Sequence, residues 1–509
     1  MKWMAFIATL LLLAAPAFAR PTVNTTWRYE RGSDGQVIDG RRSVPLPIVV
    51  GNERFSTDPG IDKTILLAQM ANGVRDRLAQ YEAACPWPIR ENRTTTCSST
   101  TRRRIALALR QDINRWNQRA LANAWIRSDT KVLDTLDLLR TLAANIEATP
   151  RLEPAPRLRA FAAAPGLGAF HAGGSLGVTG GGAQDFGFFR KLVLDGRVPD
   201  KDVLTVEGFL REFQLPLHLA PACARLVCVH PAAAFDPQQN RLYVQIGMNS
   251  AVTEATFTRK PLNLSIVLDV SGSMSATDET EKARLEWAKD ALEQTVRQLD
   301  ARDILSIVIF DTNSEILRRP ARVNDPERII AKVRRLSTRN TTNLEAGLRD
   351  GYMLASENVD RLSGYEHRVL LITDAGLNTG VVDESDILRL VTDNASRGIG
   401  LTALGLGENF KQEFIHGITN SRGGNYVFVH SGKDMLRYFD AFKYLVTPIA
   451  YNFRVRLGLS DIQAKLVAVN GVPTESGTQP VRPVIDLPTL FFSETGGAML
   501  LEYELPRGE

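Results

Sequence analysis

The sequence predicts an α/β protein, with a doubly wound, mostly parallel sheet flanked by strands of a β-sandwich and preceded by an N-terminal helical bundle. Three observations lead there. Between residues 261 and 447, short apolar runs at 264–268, 304–310, 369–372, 401–406 and 426–429 alternate with amphipathic stretches. One of these is 281–299, where Leu285, Ala288, Leu292 and Val296 recur at helical spacing. Such alternation marks parallel strands joined by crossover helices. Upstream, residues 61–146 carry a helical period throughout, and downstream 451–457 and 464–469 alternate as half-buried strands.

Taken in order, residues 1–19 read as a secretory signal. Lys2 supplies the positive start, 5–15 the apolar stretch, and Ala17-Phe-Ala19 a small-x-small cleavage site. The mature chain is expected to begin at Arg20, in the periplasm as first choice and secreted as second. No Cys follows the cleavage site, which argues against a lipoprotein anchor, and no later apolar run approaches the roughly 20 residues that span a bilayer.

Residues 20–149 read as a helical domain of three amphipathic helices. Leu67, Met70, Val74, Leu78 and Tyr81 form one stripe; Ile105, Leu109, Ile113, Trp116 and Ala120 a second; Val132, Leu136, Leu139, Ala143 and Ile146 a third. Residues 150–183, rich in Ala, Pro and Gly, break any period and read as a linker. They include Gly173-Gly-Ser175-Leu-Gly177, which matches the letters of a nucleophile elbow but lacks the strand before it and the helix after it. Residues 184–260 form a strand-containing lead-in segment, 261–447 the α/β domain, and 448–509 a C-terminal β region. Strands on both sides imply that the α/β unit is inserted into, or docked on, a β-sandwich.

Charge and cysteine content narrow the function classes. A formal charge of +4, with both signs interspersed, offers no footprint for nucleic acid or membrane. The densest basic cluster, Arg102-Arg-Arg104, opens a helix and reads as a solvated face. In an exported chain the four cysteines favour disulfides, and the local pairing Cys85–Cys97 and Cys223–Cys228 is the simplest of the three connectivities. Neither pair has the two-residue spacing of a zinc or redox motif.

The chemistry concentrates at the ends of the apolar runs. Asp269-Val-Ser271-Gly-Ser273 follows the run 264–268, so a carboxylate and two hydroxyls leave the carboxyl end of a buried strand. Thr342, within Asn340-Thr-Thr-Asn, and Asp374, closing Arg368-Val-Leu-Leu-Ile-Thr-Asp374, lie where a doubly wound sheet returns to the same edge. Oxygen donors of this kind suit a hard divalent cation.

With these five residues the segment resembles the von Willebrand factor type A domain. That family's metal-ion-dependent adhesion site comprises an Asp-x-Ser-x-Ser loop, a distant Thr and a distant Asp. The resemblance implies that Ser271, Ser273 and Thr342 contact Mg²⁺ directly, and that Asp269 and Asp374 act largely through water. It also implies that an acidic side chain of a protein partner takes the remaining position. Mn²⁺ and Ca²⁺ are alternatives. One departure is Ala375, where the family often has Gly. The stretch from Gln184-Asp-Phe-Gly-Phe-Phe-Arg190 to Val206-Glu-Gly-Phe-Leu-Arg-Glu-Phe213 resembles a segment preceding this domain in a group of exported bacterial proteins.

The expected function is a non-enzymatic, Mg²⁺-dependent adhesion module of the bacterial envelope that captures a partner Asp or Glu. A scaffold with a structural metal is the alternative. A Mg²⁺-dependent hydrolase is less well supported: a dehalogenase-type phosphatase needs a carboxylate two residues after its nucleophilic Asp, and that position is Ser271. The chain also lacks a Gly-x-x-x-x-Gly-Lys-Ser/Thr loop and a His-Glu-x-x-His helix, and its six histidines are scattered.

Overall fold

The computed structural model describes the chain within residues 22–506. Excepted are 32–35, 46–59, 86–97, 125, 149–174, 181–182, 185, 214, 216–222, 278–280, 340, 375–383, 407–416, 430–434, 437–438, 440–441, 460–462, 473–483 and 494–496. The expected signal and most of the expected linker therefore lie outside the described residues.

The chain opens with strands β1 (Thr22–Arg31) and β2 (Gln36–Pro45), followed by helices α1 (Gly60–Ala84), α2 (Ser99–Ala122) and α3 (Thr130–Glu147). Next come β3 (Ser175–Gly180), β4 (Ala183–Gln184), α4 (Phe186–Leu194), α5 (Val206–Arg211), β5 (Cys228–Asp236) and β6 (Arg241–Thr253). The α/β unit runs β7 (Leu262–Asp269), α6 (Arg284–Gln298), β8 (Ile304–Phe310), β9 (Ser314–Arg322), α7 (Pro326–Arg334) and α8 (Leu344–Ser356). It continues with β10 (Glu366–Thr373), α9 (Glu384–Ser396), β11 (Ile399–Leu406), β12 (Asn425–Val429) and α10 (Phe442–Leu445). Strands β13 (Ala450–Leu459), β14 (Lys465–Asn470), β15 (Val484–Ser493) and β16 (Gly497–Glu504) close the chain.

The central sheet has the order β4-β12-β11-β10-β7-β8-β9, parallel except for β9, which turns back against β8 as an antiparallel edge. Strands β7, β10 and β11 are buried along their whole length, as strands of a doubly covered sheet should be. Leu264, Ile266 and Leu268 face α6 and α7 through Leu285, Leu292, Ile329 and Val333. Val267 and Phe310 face the opposite layer of α8 and α9, with Leu348, Tyr352 and Val391. From β7 the chain goes to β8 on one side, then crosses back to β10 on the other. The crevice between β7 and β10 is thus the topological switch point, where open α/β sheets bind ligands.

The helical stripes pack as expected, with Tyr81 at the margin, and they enclose one core with Phe186, Phe189 and Phe209 of the lead-in helices. Two expected boundaries differ. Residues 22–45, assigned to the helical domain, are strands of a nine-stranded antiparallel sheet, where β1 pairs with β13 and β2. Val23, Thr25, Trp27 and Tyr29 are its buried alternate positions, a period of two in a region read for a period of 3.6. Residues 175–180, assigned to the linker, form β3 between β15 and β6. Ser175 therefore begins an antiparallel strand rather than a strand-to-helix elbow. The antiparallel sheet folds over so that β5, paired with β6, also lies against β1 and β2. The lead-in adds β4 to the parallel sheet alongside β12. The Cys223–Cys228 disulfide forms at the start of β5. Cys85, just after α1, is disulfide-bonded, while Cys97 lies outside the described residues.

Candidate metal centre

Strand β7 pairs in register with β8 and β10, bringing Asp269 opposite Phe310 on one side and one residue beyond the Leu268–Ile372 pair on the other. Thr373 and Asp374 thus end beside Asp269. The chain leaving β7 turns because the Asp269 Oδ1 accepts the Ser271 amide at 2.8 Å, a short side chain bonding its own backbone two residues on. A short turn of 3₁₀ helix over Gly272–Ser275 follows, anchored by the buried Met274.

Four of the five sequence-predicted ligands join in one hydrogen-bonded chain. The Ser271 and Ser273 hydroxyls lie 3.0 Å apart, and Ser273 Oγ donates to Asp374 Oδ1 at 2.7 Å. Asp269 and Asp374 are 0 % exposed and Ser271 1 %, whereas Ser273 is exposed. The donors therefore form a cup with two carboxylates at its base and a hydroxyl at its lip. Thr342 is half-buried just before α8, and among the described residues its hydroxyl makes no hydrogen bond to the other four. Its loop is nonetheless tied to the same strand ends. The Arg339 amide donates to the Val270 carbonyl at 2.7 Å and the Asn343 amide to the Asp311 carbonyl at 2.6 Å. Thr312 and Thr341 hydroxyls meet at 2.9 Å.

Sequence reasoning missed two participants. Thr373 donates its hydroxyl to Asp269 Oδ2 at 2.5 Å, a contact that follows from the lateral pairing of β7 and β10 once the strand order is known. Arg284, first residue of α6, places Nη1 2.6 Å from Asp374 Oδ2. It reaches there because Thr277 bridges to Ala283 and the Arg284 amide donates to the Ala276 carbonyl at 2.9 Å, which holds the start of α6 close to the 3₁₀ turn. No sequence signal distinguishes it from any other arginine at a helix start.

Burial pushes the Asp269 carboxyl up to about 6; hydrogen bonds from Ser271 and Thr373 oppose this, and the nearby Asp374 charge adds to it. A buried carboxylate in this condition gains most from a compensating cation. The donor set is all oxygen, which fits a hard divalent ion. Among the described residues no group of three or more His, Cys, Asp or Glu side chains could hold a metal, so a carboxylate-rich or imidazole-rich centre has no counterpart there. The position of Ala375 lies outside the described residues.

Residues 264–377 match the von Willebrand factor type A domain family, and this part of the chain is such a domain. An uncharacterized protein of Synechocystis sp. is 29% identical over 182 residues, covering 36% of this chain and 40% of that protein. The uncharacterized protein YfbK of Escherichia coli is 29% identical over 168 residues, 33% of this chain and 28% of its own length. Bovine inter-alpha-trypsin inhibitor heavy chain H1 is 24% identical, over 35% of this chain and 20% of the relative. The chain thus matches less than half the length of these relatives. Among solved structures, a von Willebrand factor type A protein from Catenulispora acidiphila is 15% identical, covering 57% of this chain and 67% of that one at a TM-score of 0.38. No helix among the described residues is long and apolar enough to cross a membrane.

Proposed function

We propose that this chain is an exported bacterial envelope protein whose type A domain binds Mg²⁺ and, through it, captures a carboxylate of a protein partner. Mn²⁺ and Ca²⁺ are the other candidate ions. Ser271, Ser273 and Thr342 would be its direct ligands, with Asp269 and Asp374 holding it from behind. When bound, the cation supplies positive charge and a free coordination position. The observation that carries the reading is the cup: two fully buried carboxylates linked by serines to an exposed lip.

Charge arithmetic supports the same reading. Asp269 and Asp374 contribute −2 and Arg284 +1, so the side chains sum to −1, which draws in a dication. With a dication the sum becomes +1, which favours an anionic partner. Ser273, exposed at the lip, is positioned to meet that partner.

The test is calorimetric titration of the mature chain with MgCl₂, alongside Asp269→Ala. One site in the wild type and none in the folded variant is expected. Capture of envelope proteins on the immobilised chain, with and without chelator and with Ser271→Ala, then reads the partner step. Equal Mg²⁺ binding by wild type and Asp269→Ala would refute the site, and undiminished capture in chelator would refute the carboxylate bridge.

A further inference from the structure

A second site is suggested on the edge of the same domain, where β9 and α7 enclose a cavity of about 350 Å³. Its rim carries Arg318 and Arg322 from the strand and Arg328 and Lys332 from the helix, over a floor that includes Ile307 and Ile329. Arg328 and Lys332 stand four residues apart on one helix face, a spacing at which like charges repel. Among the described residues none of the four side-chain charges has a carboxylate within ion-pair distance. Arg318 Nη2 reaches only the carbonyls of Ala321 at 3.2 Å and Arg322 at 2.9 Å, and Arg322 Nη1 that of Ala301 at 2.9 Å. The one acidic lining residue, Asp325, accepts the Arg328 amide at the start of the helix.

The surrounding arginines behave differently. Arg297 pairs with Glu293 and Glu327, Arg334 with Asp290 and Glu293, and Arg302 with Asp300. In a chain whose charge is close to balanced, four unmatched cations around one cavity are an exception that calls for an anion. Arg318 makes the point sharper: its Nε is buried with no hydrogen-bond partner, and burial holds its guanidinium below the ordinary pKa with no acidic group to raise it.

We infer that this cavity binds a phosphate monoester, its phosphoryl oxygens held by Arg318, Arg322, Arg328 and Lys332 and its organic part resting on the apolar floor. Four cations less the charge of Asp325 leave +3, which one carboxylate would not balance. A tetrahedral group with three acceptor oxygens can meet donors arriving from a strand and from a helix, whereas a planar carboxylate offers two oxygens in one plane. The cavity is distinct from the candidate metal centre. Arg322 pairs with Ile304 at the amino end of β8, while Asp269 pairs with Phe310 at its carboxyl end.

The test is calorimetric titration of the mature chain, in chelator, with glycerol 1-phosphate and with succinate, and flotation with vesicles containing phosphatidic acid. The variant is Arg328→Gln/Lys332→Gln, both exposed positions whose change leaves the core untouched, with circular dichroism to verify folding. Binding of the soluble ester, weakened about tenfold or more in the variant, supports a small-molecule source. Binding to phosphatidic acid vesicles alone, with the same loss, supports a lipid source of the same group. Asp269→Ala should bind the ester as the wild type does. The inference is overturned if neither probe binds, if the folded double variant binds equally well, if succinate matches the ester, or if folded Asp269→Ala loses ester binding.

Discussion

Replacing Arg368 with Met should loosen the type A domain where it meets the antiparallel sheet. Arg368 is fully buried on β10. Its Nη1 donates to the Gly423 carbonyl and its Nη2 to the Thr402 hydroxyl, each at 2.5 Å. Glycines make room for it: a Cβ on Gly400 would stand 1.9 Å from Nη1. Two residues earlier, buried Glu366 accepts the Tyr451 hydroxyl from β13, and Gly423 donates its amide to Thr489 on β15 at 2.6 Å. Burial pushes the Glu366 carboxyl up, and the Arg368 charge pulls it back down.

Arg368→Met removes two hydrogen bonds from a charged donor, about 1.5–3 kcal/mol each, and Met recovers part of that by filling the space. Breaking a buried charge cluster on one side costs about 3–5 kcal/mol, which agrees. The loss is concentrated at one contact between the two sheets, so a local assay reads it most directly. Hydrogen exchange of the peptide spanning 366–373 should accelerate between about a hundredfold and a few thousandfold. The 484–493 peptide should accelerate with it, because Gly423 bonds Thr489 there. Acceleration below about tenfold would show that the guanidinium is replaceable and the reasoning wrong. Adding Glu366→Gln to Arg368→Met should cost less than the two single changes summed, since it removes the carboxylate left uncompensated.

Further expectations concern stability elsewhere. Burial lowers the pKa of His230 and His367 in the folded chain, so the unfolded state binds more protons as pH falls. Their contribution should be complete above about 6.5 and be lost as pH drops toward the folded values. His367→Asn should flatten the melting-temperature profile between pH 7 and 5, and an unchanged profile would remove His367 from the account. Gly351→Val should destabilise by about 1–3 kcal/mol, because a Cβ there would sit 2.3 Å from Val267 Cγ2; an unchanged melting temperature would mean that α8 can shift. Replacing Cys223 and Cys228 by Ser should cost about 2 kcal/mol through the reopened short loop, read as faster exchange at the start of β5, and unaltered exchange there would assign the bridge no such role.

How much was legible in the sequence follows from which interactions are local. The strands β7, β8, β10, β11 and β12 were readable because a doubly covered strand carries a run of apolar residues on both faces, and the three helical stripes because each closes on its own 3.6 period. Asp269, Ser271 and Ser273 were readable because their turn is made by one residue and its own backbone. What could not be read depends on pairing between distant segments. Strand β1 shows a period of two, but its partner β13 lies more than 400 residues away, with the whole type A domain between them in the chain. Edge strand β9 is half-polar with Pro320 inside it, which in isolation resembles a loop.

The same rule applies to two arginines, one at the candidate site and one in the core. Arg368 follows Glu366 and His367 at the polar start of its strand, an ordinary place for an arginine, and becomes special only through its burial and its partners Thr402 and Gly423. Arg284 begins an amphipathic helix, likewise an ordinary place for an arginine, and becomes special only because the Thr277–Ala283 bridge sets it within reach of Asp374. A carboxylate at a strand end is thus recognisable in advance, but the charge that balances it is not. The net −1 of the cup, on which the proposed cation capture rests, belongs to the tertiary fold and not to the Asp-x-Ser-x-Ser letters.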